Sequence, residues 1–205
     1  MKLYFRPFAC SMSSRITLYE AGLAAEIVEV DKASRRGTDG VDLLSLNPLG
    51  MVPVLVLDGG AVLTENPAIL EHLAGLAPDK KLAPTDEVGR MRLREWLSFI
   101  GSELHQNYVP LLDKAAPADA KTYAQKKLEP RLAQVAAHLA KQPFLLDEVS
   151  IADAYLFAIL NWTQVTPIAL AQWPSLTAFM ARMLDRPAVQ RAFGEERERY
   201  LATLR

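Results

Sequence analysis

The sequence predicts an α/β N-terminal domain followed by an all-α C-terminal domain. Three observations carry this. Strand-like runs alternate with helical periodicity over roughly the first eighty residues, a stretch with two prolines and several charges follows at 77–87, and beyond it apolar residues recur at helical spacing. The domains expected from that pattern are 1–78 and 86–205.

In the first domain, residues 2–5 form a short β-prone run, and residues 12–22 place Ile16, Leu18 and Tyr19 at helical spacing with Gly22 as the stop. Residues 25–30 return to a strand pattern, and a β-α-β start requires its two strands to be parallel. A short helix is expected over 41–46, ending near Asn47-Pro48. The apolar runs 54–57 and 61–63 flank Asp58-Gly59-Gly60, which signals a hairpin. A third helix over 67–75 opens on Pro67, with Asn66 before it as the N-cap. The order is β-α-β-α-β-β-α.

In the second domain, Met91, Trp96, Leu97, Ile100 and Leu104 form one apolar stripe, and Ala124, Leu128, Leu132, Val135 and Leu139 form another. Pro130 falls inside the second stripe and removes a backbone donor, so a kink or break is expected there. Residues 151–160 are apolar on nearly every face and predict a buried central helix, entered through Ser150 and Asp153 as a capping pair. Two further helices are expected over 174–184 and 187–201.

Composition excludes several function classes. Half the residues are apolar, enough for a sizeable core, and 23 Lys and Arg against 24 Asp and Glu leave a net charge of −1. That balance gives no electrostatic case for nucleic acid or an anionic membrane. Cys10 is the only cysteine, so no intrachain disulfide forms and a reducing, cytoplasmic setting is expected. Only Leu3, Tyr4 and Phe5 separate Lys2 from Arg6, too few for the apolar core of an export signal, and no apolar run approaches the roughly 20 residues that span a bilayer. Phosphate-loop glycines and a GxSxG elbow are missing, and His72, His105 and His138 do not stand at metal-ligand spacing with one another or with Cys10. No metal is expected.

Four places remain where chemistry can reside. Cys10 and Ser11 lie between the first strand and the first helix, where unpaired N–H groups favour a thiolate, their own or a bound one; the alternative is a small buried cysteine beside capping serines. Val52-Pro53 opens a strand. A cis bond there would turn the Val52 backbone toward an extended peptide-like ligand, although the general preference of X-Pro bonds is trans. Glu65 and Asn66 stand at a helix start that can receive the carboxylate and ammonium of an amino-acid head group, or Asn66 serves only as a cap. Ser98, Ser102 and His105, spaced by four and three, share a polar helix face that either lines a cleft or is solvated. His72 and His138 are expected on helix surfaces.

Taken in order, these features resemble a cytosolic glutathione transferase, a thioredoxin-like domain followed by a helical one. The residues that carry the resemblance are Val52-Pro53, Glu65 and the helix after it, and Ser150-Ile151-Ala152-Asp153. Met1-Lys2-Leu3-Tyr4 with Ala9-Cys10-Ser11, and the segment 99–105, are similar to the bacterial beta class in particular, and Arg186-Pro187-Ala188-Val189-Gln190 extends the likeness almost to the end. The resemblance implies glutathione as co-substrate, a small hydrophobic electrophile, a role in detoxification and a homodimer. It places Cys10 near the glutathione sulfur and pairs the Val52 backbone with the cysteinyl part, with Pro53 cis. Glu65 and Asn66 go to the γ-glutamyl head and Arg35 to the glycine carboxylate, while Ser98 and His105 face the thiol. Ser150 and Asp153 become a structural capping box.

Three departures from the family pattern stand out, the last being an atypical Arg6 near the cleft and Pro130 in a helix. Asn66-Pro67 replaces a Ser or Gly and an ordinary residue, deleting one backbone N–H near the carboxylate, and Phe8 replaces a glycine, which is expected to crowd or reshape the floor of the site. The mechanism implied is a glutathione thiolate stabilised by donors among Cys10, Ser11 and His105 and attacking a soft carbon. The alternatives are a glutathione-dependent thiol-disulfide or peroxide reductase using Cys10, and a non-catalytic interaction module.

Overall fold

The computed structural model describes residues 1–202, which divide into two compact units: Met1–Ala83 together with the stretch from Arg186, and Pro84–Asp185. The first unit contains β1 (Lys2–Phe5), α1 (Met12–Ala21), β2 (Glu26–Glu29), β3 (Val54–Val56), β4 (Val62–Leu63) and α2 (Asn66–Leu76). The strands lie in the order β2-β1-β3-β4, with β1 parallel to β2 and antiparallel to β3, and β4 antiparallel to β3. Alternation along β1 sets the layers. Leu3 packs with Leu55, Leu18 of α1, and Ile69 and Leu73 of α2, whereas Tyr4 turns to Val28, Val30, Leu43 and Val54.

Local chemistry accounts for the boundaries. Gly22 ends α1 in the left-handed region at φ 67°, which costs a residue without a Cβ little, and its N–H reaches the Tyr19 carbonyl at 3.2 Å. The hairpin closes where Leu57 N–H donates to the Ala61 carbonyl at 2.9 Å. The helix expected over 41–46 is a single 3₁₀ turn, Leu43–Ser45. Pro48 disfavours helical backbone at Asn47, so the turn does not extend.

The C-terminal helix α8 (Pro187–Ala202) was expected with the helical domain but belongs to the first unit, because charged pairs tie it there. Arg186 pairs with Glu20 of α1 at 2.6 and 2.9 Å, Arg199 with Glu29 of β2 at 3.1 Å, and Glu195 and Glu196 with Arg15 of α1. These partners stand some 170 residues away, beyond the reach of pattern reading.

The second unit contains α3 (Glu87–Phe99), a π-helical segment (Ile100–His105), α4 (Gln106–Leu112), α5 (Ala118–Leu139), α6 (Ile151–Leu160) and α7 (Pro174–Leu184). All ten residues of α6 are buried, and it packs against α3, the π segment and α7. Burying Leu156, Phe157, Ile159 and Leu160 contributes about 1.5–3 kcal/mol each. Its start is the expected capping box: Ser150 Oγ accepts from Ala152 N–H, while Asp153 accepts from Ser150 N–H at 2.9 Å and Leu145 N–H at 2.9 Å.

Two expectations for this unit change. The buried stripe of α3 is Leu93 and Leu97, continuing to Ile100 and Leu104, a spacing of four, three and four that leaves Met91 61% exposed. Helix α5 runs unbroken through Pro130. The proline is exposed, so the Lys126 carbonyl it orphans faces water while Leu128 and Leu132 hold the opposite side in the core. No helix among the described residues is long and apolar enough to cross a membrane.

Candidate functional site

In the first unit, three connections bring the predicted residues together. The turn from β1 into α1 carries Cys10, which is 7% exposed and donates its thiol to the Val52 carbonyl at 3.4 Å. The Val52-Pro53 bond is cis, as the resemblance implied and against the general X-Pro preference. Asn47 holds the segment that leads to it: Nδ2 donates to the Met51 carbonyl at 3.0 Å and Oδ1 accepts from Leu49 N–H at 3.1 Å. Asn followed by Pro-Leu-Gly reads as a turn in the sequence, and the side chain closes it as an Asx-turn. At the head of α2, Glu65 is exposed at φ 68°, a positive φ that is uncommon for a residue other than glycine and recurs at ligand clamps.

Two arginines stand near the same turn. Arg6 donates from Nη2 to the Gly50 carbonyl at 3.3 Å, and a Cβ on Gly50 would come within 3.0 Å of Arg35 Nη1. Gly50, at φ 62°, therefore makes room for the Arg35 guanidinium. Burial, and then Arg35, push Arg6 below its ordinary pKa.

In the second unit, His105 ends the π segment. Its Nδ1 lies 2.7 Å from the Tyr155 hydroxyl, its ring meets Trp162 edge-on at 5.0 Å, and burial pushes its pKa down to about 4. The imidazole is therefore neutral at pH 7. The shared face expected for Ser98, Ser102 and His105 does not form, because the π turn carries an extra residue and rotates His105 away. Ser98 and Ser102 are exposed, with Ser102 Oγ donating to the Ser98 carbonyl at 2.9 Å. His138 is half-buried rather than on the surface, its Nε2 3.1 Å from the Leu145 carbonyl and its ring 4.7 Å from Trp96.

Residues 9–76 match the model of the glutathione S-transferase N-terminal domain, and residues 96–187 that of the C-terminal domain. Glutathione S-transferase GstA of Escherichia coli O157:H7 is 39% identical over 198 residues, covering 96% of this chain and 98% of that protein. The chain belongs to the glutathione S-transferase family. Solved structures agree with this. A sphingomonad glutathione S-transferase complexed with glutathione is 41% identical with a TM-score of 0.92 over 96% of this chain and 98% of its own. The bacterial beta-class enzyme of Sphingomonas chungbukensis matches with the same identity, TM-score and coverage.

Of the residues singled out in the sequence of this transferase, three sit differently from expectation, and Cys10 takes the buried one of its readings. The backbone N–H groups of Cys10 and Ser11 do favour the anion, but burial outweighs them and pushes the thiol up to about 12. Ser11 has no exposed surface, and its hydroxyl exchanges hydrogen bonds with the Arg6 backbone at 3.3 Å, which makes it part of the turn's scaffold rather than a donor at the sulfur. Asn66 is the first residue of α2 and not its cap: its Oδ1 accepts from Ser13 Oγ at 3.1 Å and Ser14 Oγ at 2.9 Å, and Nδ2 donates to Ser13 Oγ at 2.8 Å. The amide turns inward because position 66 is buried against the Ser13 and Ser14 hydroxyls of α1, and only its backbone remains for a ligand. Phe8 does not crowd the floor, since its ring lies edge-on to Phe193 and Tyr200 of α8 at 5.5 and 5.6 Å.

Proposed function

We propose that this transferase conjugates the thiolate of glutathione to small hydrophobic electrophiles. The observation that carries the proposal is the Cys10 thiol within hydrogen-bond reach of the Val52 carbonyl, beside the cis Pro53. In this assignment the extended tripeptide pairs its cysteinyl backbone with Val52. Its γ-glutamyl head meets Glu65 and the first backbone N–H of α2, and its glycine carboxylate meets Arg35, with Arg6 adding positive charge. The similar sphingomonad enzyme, solved with glutathione, supports this assignment.

Free glutathione has a thiol pKa near 8.5, so its anion must be favoured by donors. A protonated Cys10 supplies one S–H donor once its thiol turns from the Val52 carbonyl to the bound sulfur. The glutathione proton leaves to solvent, the sulfur lone pair forms the new C–S bond, and in a displacement the leaving group departs with its electron pair. The reductase alternative is disfavoured, because at a pKa of about 12 Cys10 has almost no thiolate with which to attack a disulfide.

The protein is further proposed to be a cytoplasmic homodimer acting in detoxification. Leu49 and Met51, 73% and 57% exposed beside the site, are apolar surface that a second copy would cover. Calorimetric titration with glutathione tests the main reading: saturable binding at one site per chain, with conjugation of a soft aryl halide, is expected. No heat at millimolar glutathione would overturn it, and sedimentation as a monomer would overturn the dimer.

A further inference from the structure

The most deeply buried charges of the first unit lie outside the site just described. Arg15 of α1 and Glu196 of α8 have no exposed surface, and Nη1 stands 3.3 Å from Oε1. Around the guanidinium are the Phe5 ring at 4.6 Å, the Tyr19 hydroxyl at 3.1 Å and Glu195. A pair this buried is a poor stabiliser, since apolar residues of similar volume commonly serve the fold as well. Burial pushes the Glu196 carboxyl up to about 7 against the pull of Arg15 and the Phe8 N–H, with Glu29 adding to the rise. A purely structural role gives no reason to retain so costly a charge.

The second carboxylate oxygen does what an apolar residue cannot. Glu196 Oε2 accepts the Phe8 N–H at 2.6 Å, across 188 positions of sequence and two residues before Cys10. Phe8 is left-handed at φ 57°, a conformation that bulky residues rarely adopt unless something fixes it. Helix α8 holds it twice, by this hydrogen bond and by the ring contacts with Phe193 and Tyr200. From Phe8 the turn continues with Ala9 N–H on the Arg6 carbonyl at 3.2 Å, and then reaches Cys10 and its contact with Val52.

We propose that Glu196 is a positioning residue for glutathione binding: by accepting the Phe8 N–H it fixes the left-handed turn that delivers Cys10 to the Val52 carbonyl. Arg15 is its counter-charge. The proposal rests on the transferase reading of the Cys10 and Val52 site.

Two double variants isolate the acceptor from the charge. Arg15→Met with Glu196→Met removes both, whereas Arg15→Met with Glu196→Gln removes the charges and keeps an oxygen for Phe8 N–H. Both are compared with wild type by thermal unfolding, by the glutathione Kd, and by separate KM values for glutathione and the electrophile. In the Met–Met protein the glutathione Kd and KM are expected to rise about tenfold, the electrophile KM staying near wild type, and the Gln variant to recover most of the loss. Equal glutathione constants in the two variants, whether both normal or both weakened, overturn the proposal. Should the Met–Met protein fail to fold, amide exchange in the wild type decides: saturation with glutathione must slow exchange at Phe8, and unchanged exchange overturns the proposal. Failure of the wild type to bind glutathione overturns instead the transferase reading on which it rests.

Discussion

Cys10 is the single cysteine of the chain, so thiol chemistry reports on one atom. Burial first of all, then the carboxylates of Glu65 and Glu196, disfavour its thiolate, while the backbone N–H groups of Cys10 and Ser11 favour it; the outcome is a pKa of about 12 against an ordinary 9.0. That difference of about 3 corresponds to about 4 kcal/mol in favour of the thiol. At pH 7.5 the thiolate fraction falls about 3.5 decades below that of free cysteine in solution, whose pKa is about 8.5, and the greater intrinsic nucleophilicity of a more basic thiolate returns about 1.5 of them. Alkylation by iodoacetamide, followed by intact mass, is therefore expected to run about a hundredfold slower than with free cysteine, and still to be accelerating at pH 10.

A plateau with a midpoint below pH 8 would refute this reasoning. It would mean that the helix N-terminus outweighs desolvation, and it would restore Cys10 as a redox nucleophile. The same logic orders two variants. Cys10→Ser keeps an O–H donor, whereas Cys10→Ala removes it and is expected to lose about tenfold in kcat/KM, the worth of one hydrogen bond to a charged sulfur. Loss of all activity in both would identify a covalent role instead.

Three further outcomes follow from the geometry. His105, neutral until about pH 4, should show an NMR titration midpoint near 4 rather than 6.5; its stabilising contribution is complete above the unfolded pKa of about 6.5 and lost as the pH falls toward 4, a share of the pH dependence that His105→Gln should remove in urea melts. Asp153→Ala leaves the Leu145 and Ser150 N–H groups without their acceptor in a buried site and should cost about 3–5 kcal/mol in urea unfolding; a cost under about 1 would show that water replaces the carboxylate. Asn66→Ala strands the Ser14 hydroxyl while Ser13 keeps the Cys10 carbonyl at 2.7 Å, so a loss of about 1–3 kcal/mol is expected, with glutathione affinity weakened less than by Glu65→Ala in calorimetry.

Much of the fold was legible because its determinants are local. The Gly22 stop, the Asp58-Gly59-Gly60 hairpin and the Ser150 and Asp153 capping box act within a few residues, and each appears where its chemistry demands. The order of motifs placed Cys10, Val52 and Glu65, but not their states. A helix start favours a thiolate only where solvent reaches it, and how deeply Cys10 is buried depends on packing that no spacing records. Likewise the four-and-three spacing of Ser98, Ser102 and His105 presumed α-geometry, and the π segment from Ile100 to His105 has no composition signal of its own.

Asp153 and Glu196 make the contrast sharpest. Both are buried carboxylates raised by burial, to about 6 and about 7, and both spend an oxygen on the backbone N–H of a turn. Asp153 holds Ser150 three residues away, so the pattern Ser-x-x-Asp before an apolar run announces it. Glu196 holds Phe8 from the far end of the chain, and nothing in Phe193-Gly194-Glu195-Glu196 distinguishes the second glutamate from the first. Only burial separates them: Glu195 stays partly exposed and below its ordinary pKa, while Glu196 is enclosed and above it. Glu196→Gln should remove the fall in stability that the wild type shows as the pH rises toward 7, while keeping an acceptor for the Phe8 N–H.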